Sequence, residues 1–153
     1  MARFRRPTPS NVTASRAIQQ EILQRIAALS GTVTQELDAA AAADHQDRLA
    51  HLVAARTAER QIDTAVIELA AGAVLGGMSA AEASAKSGIS TATLTRRMPP
   101  HLRALRGHHV VPDPEAPYGW RLAGAVARGL DQAFCADPTL CALNRSQNRS
   151  TSQ

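Results

Sequence analysis

The sequence predicts a mainly α protein: a long helical N-terminal region, then a unit of short helices closed by a small β-hairpin. Three observations lead there. Apolar residues recur at helical spacing from residue 13 to residue 73, and no proline interrupts the chain between Pro9 and Pro99. Between Met78 and Met98 two helix-start signals stand on either side of one glycine. After Pro99-Pro100, two short β-prone runs flank a proline-rich loop.

Taken in order, residues 1–12 carry Arg3, Arg5 and Arg6 with Pro7 and Pro9, and read as a flexible basic arm. Residues 13–60 read as a long helical, coiled-coil-like region. Ile18, Ile22, Ile26 and Leu29 form one stripe. Ser30-Gly31-Thr32 then offers a break, with Thr32 and Gln35 able to cap a fresh start. From Val33 to Arg60 the pattern continues through Leu37, the alanine run at 39–43, Leu49, Leu52 and Val53. A helix over 33–60 spans about 40 Å at 1.5 Å per residue, too long to bury its stripe against so small a domain. Either 13–29 folds back on 33–60, or the stripe pairs with a second copy. Alanine and arginine interrupt the heptad seam, which favours helical dimerisation over a strict coiled coil.

Residues 61–136 read as the second domain. Ile62, Val66, Leu69, Ala70 and Ala73 give its first helix, ended by Gly76-Gly77. Ser79 with Glu82 forms a capping box, Gly88 can stop that helix at positive φ, and Ser90 caps the next. Ile89 is placed to staple onto Leu94. Two short helices joined by a glycine turn are the layout of a helix-turn-helix. Pro99-Pro100 ends the second helix, and Leu102 and Leu105 make one more turn before Gly107. His108–Val111 and Gly119–Leu122 read as strands of a wing, with Trp120 anchoring the hairpin on the core. A last helix is expected from Ala123 to Phe134, and residues 137–153 read as a disordered tail.

The charge pattern points to a partner. The net charge is +4, and sixteen of the seventeen basic residues are arginine. It divides into +3 over residues 1–12, −3 over 13–76, +4 over 77–128 and zero beyond. Positive charge therefore gathers on the arm and on the helix-turn-helix region, beside a slightly acidic helical scaffold. That distribution suits a polyanion, and the arm could reach phosphates or a minor groove.

Other classes find little support. No run of apolar residues is long enough for a membrane span, and no hydrophobic signal core follows the basic start, so a cytoplasmic protein is expected. Cys135 and Cys141 are too few for a disulfide framework or a four-ligand metal site. His101, His108 and His109 cluster locally without a cysteine or carboxylate to complete a tetrahedral set, so no metal and no cofactor are expected. The Asn-X-Ser/Thr matches at Asn11, Asn144 and Asn148 have no secretory context. No nucleophile elbow, phosphate loop or paired-acid motif appears, so an enzyme has no candidate site.

The segment Ala-Lys-Ser-Gly-Ile-Ser-Thr-Ala-Thr-Leu-Thr-Arg at 85–96 resembles the helix-turn-helix of lactose-repressor-type bacterial regulators. The resemblance covers about twenty residues and identifies a module. It implies that Ser90, Thr91, Ala92 and Arg96 face the major groove and that Thr93 and Thr95 lie near phosphates. Two positions depart from the pattern: Ser84 replaces a helix-packing alanine, and Arg97 replaces an apolar residue. Met98 can take over that packing role, which leaves Arg97 to face DNA; otherwise the helix is rotated from this register. Arg103, Arg106, Arg121 and Arg128 could extend the positive face to neighbouring phosphates. The expected partners are double-stranded DNA and a second copy held through the N-terminal helices, as in a dimeric transcriptional regulator. A plasmid or phage replication or partition protein fits the same chemistry. An adaptor whose long helix binds a protein partner is the alternative from another class.

Overall fold

The computed structural model describes residues 5–124 and is mainly helical, with one small two-stranded antiparallel sheet. The expected helix at 123–134 and the tail 137–153 lie outside the described residues, except for Ala123 and Gly124 in a turn.

Helix α1 spans Pro9–Ala42 and starts four residues earlier than its apolar stripe suggests. Thr8 caps it, with its hydroxyl accepting from the Asn11 amide at 3.2 Å and its own amide donating to Asn11 Oδ1 at 3.1 Å. Pro9 follows at the first helical position, where its missing N–H costs nothing. Residues 5–8, just before it, are held by contacts of their own. From Arg5 onward the chain lies on the later part of the fold, so a flexible arm reaching to residue 12 is not what forms.

The expected break at Ser30-Gly31-Thr32 does not occur. The hydroxyls of Ser30, Thr32 and Thr34 donate to the carbonyls four residues back, Ile26, Ala28 and Ser30, and so stay compatible with the helix. The chain reverses instead at residues 43–47. There Asp44 Oδ1 accepts from the amides of Gln46 and Asp47, each at 3.0 Å, in an Asx-type turn. Arg48 closes the corner by donating to the carbonyls of Ala40 and Ala43.

Helix α2, Arg48–Leu75, runs back along α1 without interruption. Ser15 meets Gly72, Arg25 meets Glu68, and Glu36 meets His51, so the partners step in opposite directions along the two helices. The expected domain boundary at residue 60 therefore falls inside one continuous helix. The chain does fold back on itself, but not as 13–29 on 33–60: residues 33–42 continue α1, and Ile18 and Ile22 share a core with residues 65–75 of α2.

Gly76 ends α2 where the two helices approach closely. A Cβ at this position would lie 2.4 Å from Ser15 Oγ. Helix α3 follows as Ala80–Ser87. Ser79 Oγ accepts from the Glu82 amide at 3.1 Å, but the Glu82 carboxylate takes Lys86 at 2.8 Å and leaves the other half of the capping box unmade. Gly88 stops α3 at φ 72, a left-handed conformation that costs glycine nothing. Ser90 Oγ accepts from the Thr93 amide at 3.1 Å and opens α4, Thr91–Arg97. Helix α5 is a short piece, Pro100–Leu105. Strands β1 (Val110–Pro112) and β2 (Trp120–Leu122) pair with Val110 opposite Leu122 and Pro112 opposite Trp120. They are shorter than the runs at 108–111 and 119–122, and the loop between them holds a 3₁₀ turn at Pro117–Gly119.

One core joins these elements. Ala14, Ile18 and Ile22 of α1 meet Ala65, Ile67, Ala70, Ala71, Val74 and Leu75 of α2. Ala83, Leu94, Met98, Leu102, Leu105 and Val110 complete it from the later segments. Trp120 and Leu122 pack on its edge as the anchor of the sheet. The first half of α1 is thus part of the small domain. The outer half of the hairpin buries only the small Ala40, Ala55 and Ala58, while Leu37, Leu49, Leu52 and Val53 are 47%, 67%, 40% and 67% exposed.

Asn11 is fully buried and satisfied on every side. Its carboxamide nitrogen donates to the carbonyls of Leu105 and His108, both at 3.0 Å, and its oxygen also accepts from the Gly107 amide at 2.8 Å. Asn11→Ala strips the Gly107 amide of its partner and removes one of two donors from the Leu105 and His108 carbonyls, which keep the His108 amide and the Thr8 hydroxyl, and we expect a loss of about 1–3 kcal/mol in chemical denaturation. Gly31→Ala acts in the opposite direction. Its Cβ meets nothing within 4 Å, so the variant should gain about 0.5–1 kcal/mol by restricting the unfolded chain and improving helix propensity.

Candidate nucleic-acid interface

Helix α4 is two turns long and sits on the core through Leu94, with Met98 buried just beyond its end. At about 100° per residue, Ala92 and Arg96 point directly away from Leu94. Thr95 lies beside them, and Thr91 and Arg97 flank the buried edge. Thr91, Ala92, Thr95, Arg96 and Arg97 are all exposed. Met98 therefore takes the packing role, and Arg97 stays at the surface without a rotation of the helix. The other departure is also accounted for. Ser84 Oγ donates to the Ile89 carbonyl at 2.6 Å and bridges the α3–α4 turn, a contact an alanine cannot make.

The candidate residues divide into two groups. Arg96 and Arg97 have no ion-pair partner among the described residues, and α4 and α5 contain no acid. Arg103 is exposed on α5 and donates one N–H to the Thr95 carbonyl, which places it beside the outer face of α4. Thr95 lies next to the outer face that carries Arg96, while Thr91 is exposed nearer the buried edge. Ser90 and Thr93 are engaged with each other: the Ser90 hydroxyl donates to Thr93 Oγ1 at 2.9 Å while accepting its amide.

Arg106 and Arg121 are placed differently from a phosphate-gripping role. The Arg106 guanidinium turns inward and donates to the carbonyls of Arg5, Val74 and Met78. Burial lowers its pKa from the usual arginine value. It clamps the N-terminal segment and the end of α2 to α5. Arg121 pairs with Asp113 at 2.9 Å across the β-hairpin and is half-buried. Arg128 lies outside the described residues. The three neighbouring histidines are also separately engaged. His101 Nε2 meets the Trp120 carbonyl at 2.7 Å, His108 accepts from Arg5, and His109 bonds Ser10 Oγ at 3.1 Å.

Several organising residues escaped the sequence reading. Asn11 and Ser10 fell within the expected flexible arm, and Ser15 lay off the apolar stripe of the helical region. Ser10 Oγ in fact accepts from the Val110 amide at 3.1 Å, and Ser15 Oγ donates to the Gly72 carbonyl at 2.7 Å. A signal for the first did exist: Thr8-Pro9-Ser10-Asn11 is a cap residue followed by proline at the first helical position. For Arg106 no local signal exists, because its partners come from two distant segments, the N-terminal stretch and the end of α2.

Tyr118 supports the hairpin loop. It adopts φ 59, stacks on His101 with ring centroids 6.4 Å apart, and adjoins Glu68 of α2. Burial, then the Glu68 carboxylate, raises its hydroxyl above the usual value of 10.0. A raised folded pKa means that the protonated phenol is the stabilised form. Its contribution is complete below pH 10 and fades as pH climbs through the raised value. Thermal midpoints recorded from neutral pH into that range should therefore fall more steeply for the native chain than for Tyr118→Phe.

Comparison with models of known protein families gave no match, and neither curated proteins nor solved structures yielded one.

Proposed function

We propose that this protein is a sequence-specific double-stranded-DNA-binding protein, acting as a homodimer in bacterial transcriptional regulation. The observation that carries the reading is the exposed surface of α4, where Arg96 on the outer face and Arg97 nearer the buried edge have no ion-pair partner among the described residues. Helix α3, the Gly88 turn and α4 then act as the helix-turn-helix, with α4 in the major groove. Arg96 reads a base edge, with Thr91, Thr95 and Arg97 beside it; Arg103 positions the domain on the backbone. The β-hairpin serves as a wing held rigid by Trp120 and the Arg121–Asp113 pair. Plasmid or phage proteins that bind repeated sites use the same surface and differ only in the arrangement of their sites.

Dimerisation is assigned to the outer half of the hairpin, whose large apolar side chains Leu37, Leu49, Leu52 and Val53 face outward. The same observation favours the second reading, an adaptor that offers this end to a different protein. Removing residues 1–60 cannot separate the two, since it also removes the core residues Ala14, Ile18 and Ile22. Charge substitution at Leu49 and Val53 leaves the core intact and serves better. A monomer that still shifts DNA weakly at high concentration supports the dimeric regulator.

Selection of bound fragments from a random DNA pool tests the central claim. We expect an enriched two-part site. Arg96→Ala should relax preference at one base pair by about 1–3 kcal/mol, whereas Arg103→Ala should weaken all sequences alike and flatten the salt dependence. Unchanged affinity and preference in Arg96→Ala means that α4 does not read DNA.

A further inference from the structure

Away from α4, the two long helices part on one side to leave a groove of about 450 Å³. Small-molecule sites occupy roughly 300–1,000 Å³, so the space suits a compact ligand. Arg25 and Leu29 of α1 face Thr57, Arg60, Thr64 and Glu68 of α2 across it. With Gln61 beside Arg60, the α2 residues recur at intervals of three, one, three and four, which puts them on one helical face. Elsewhere the hairpin closes on apolar stripes; here the facing side chains are mostly polar.

The charges in the groove do not cancel. Arg25 pairs with Glu68. Arg60 lines the groove and has no ion pair or side-chain hydrogen bond among the described residues, the groove's one carboxylate, Glu68, being taken by Arg25. Two guanidiniums and one carboxylate leave one positive charge, which matches a monoanion, while Glu68 repels a dianion such as phosphate. Leu29, the threonine methyls and the stem of Arg60 supply an apolar wall for the rest of the ligand.

Glu68 also adjoins Tyr118, the strained residue that supports the β-hairpin loop. An anion that draws Arg25 away from Glu68 changes what Tyr118 faces. We propose that the groove between α1 and α2 binds an amphipathic monocarboxylate through Arg60 and Arg25, and that occupancy is transmitted to the β-hairpin through Glu68 and Tyr118. The carboxylate would take Arg60 in a forked, charge-assisted contact, with the threonine hydroxyls at its edge. This site requires nothing of DNA, so it stands or falls independently of the reading of α4.

Calorimetric titration of the full chain with 1-naphthoate and octanoate tests binding, with 1-naphthamide as the uncharged control. We expect at least one of the two carboxylates to bind at submillimolar levels and the amide to bind at least about ten-fold more weakly. Arg60→Ala should weaken the carboxylate by about ten-fold or more, the loss of one charge-assisted contact; Arg60 is exposed and outside the core, so the fold survives. Trp120 is the sole tryptophan and lies two residues from Tyr118, so its emission reports the coupling. The bound carboxylate should shift that emission, and Tyr118→Phe should bind equally well while losing most of the shift. The site is overturned if neither carboxylate binds at millimolar concentration, or if the amide or Arg60→Ala binds as tightly. Binding with unchanged Trp120 emission, or an equal shift in Tyr118→Phe, overturns the coupling.

Discussion

The buried carboxamide of Asn11 joins the beginning of the described chain to a point nearly a hundred residues later. Its partners at Leu105, Gly107 and His108 are backbone groups at the end of α5, where it is the partner of the Gly107 amide and a second donor to the two carbonyls. The same side chain completes the cap of α1. Two helix ends thus satisfy each other through one residue. Arg106 reinforces the joint from the other side by drawing the Arg5, Val74 and Met78 carbonyls together. The position of α5, and through it the Pro99–Pro100 corner and α4, follows from this joint.

Because the first half of α1 is built into the core, the hairpin has two unlike halves. The inner half presses Ile18 and Ile22 against Ala71, Val74 and Leu75, with a bulky interior of the usual kind. Burial of such side chains is worth about 1.5–3 kcal/mol each. The outer half is zipped by Ala40, Ala55 and Ala58, which hold the helices close but remove little apolar surface from water. Its integrity leans on polar contacts, notably the Asp44 turn, Arg48 on the Ala40 carbonyl, and the Glu36–His51 bridge at 2.8 Å. Ordering of the outer half is thus the less strongly enforced of the two.

Much of the inner architecture was legible in the sequence because it rests on local rules. Ser90 and Gly88 act through groups three or four residues away, so their roles can be read from spacing alone. The stripes Ile18–Ile22 and Leu94–Met98 follow from helical period. The reversal between α1 and α2 was not legible, since Asp44-His45-Gln46-Asp47 holds neither glycine nor proline. Ser30-Gly31-Thr32 drew the eye in its place, yet its hydroxyls bond back into the helix. Of the arginines, Arg96 and Arg97 could be located by their phase relative to Leu94. Arg106 could not, because a sequence shows where charge lies along the chain and not which carbonyls fold around it. The groove beside Arg60 was equally hidden, being a product of how two helices diverge.

The joint at Asn11 also has a meaning in time. Its contacts span 94–97 residues of sequence, and closing so long a loop is slow compared with winding a helix. On the ribosome, α1 and α2 emerge first and can zip into a hairpin early. The core stays open, with Ile18, Ile22 and Val74 uncovered, until residue 110 has been made. A chain stalled before that point therefore displays an apolar surface that the finished protein hides, and β1 and β2 act as the latch that covers it.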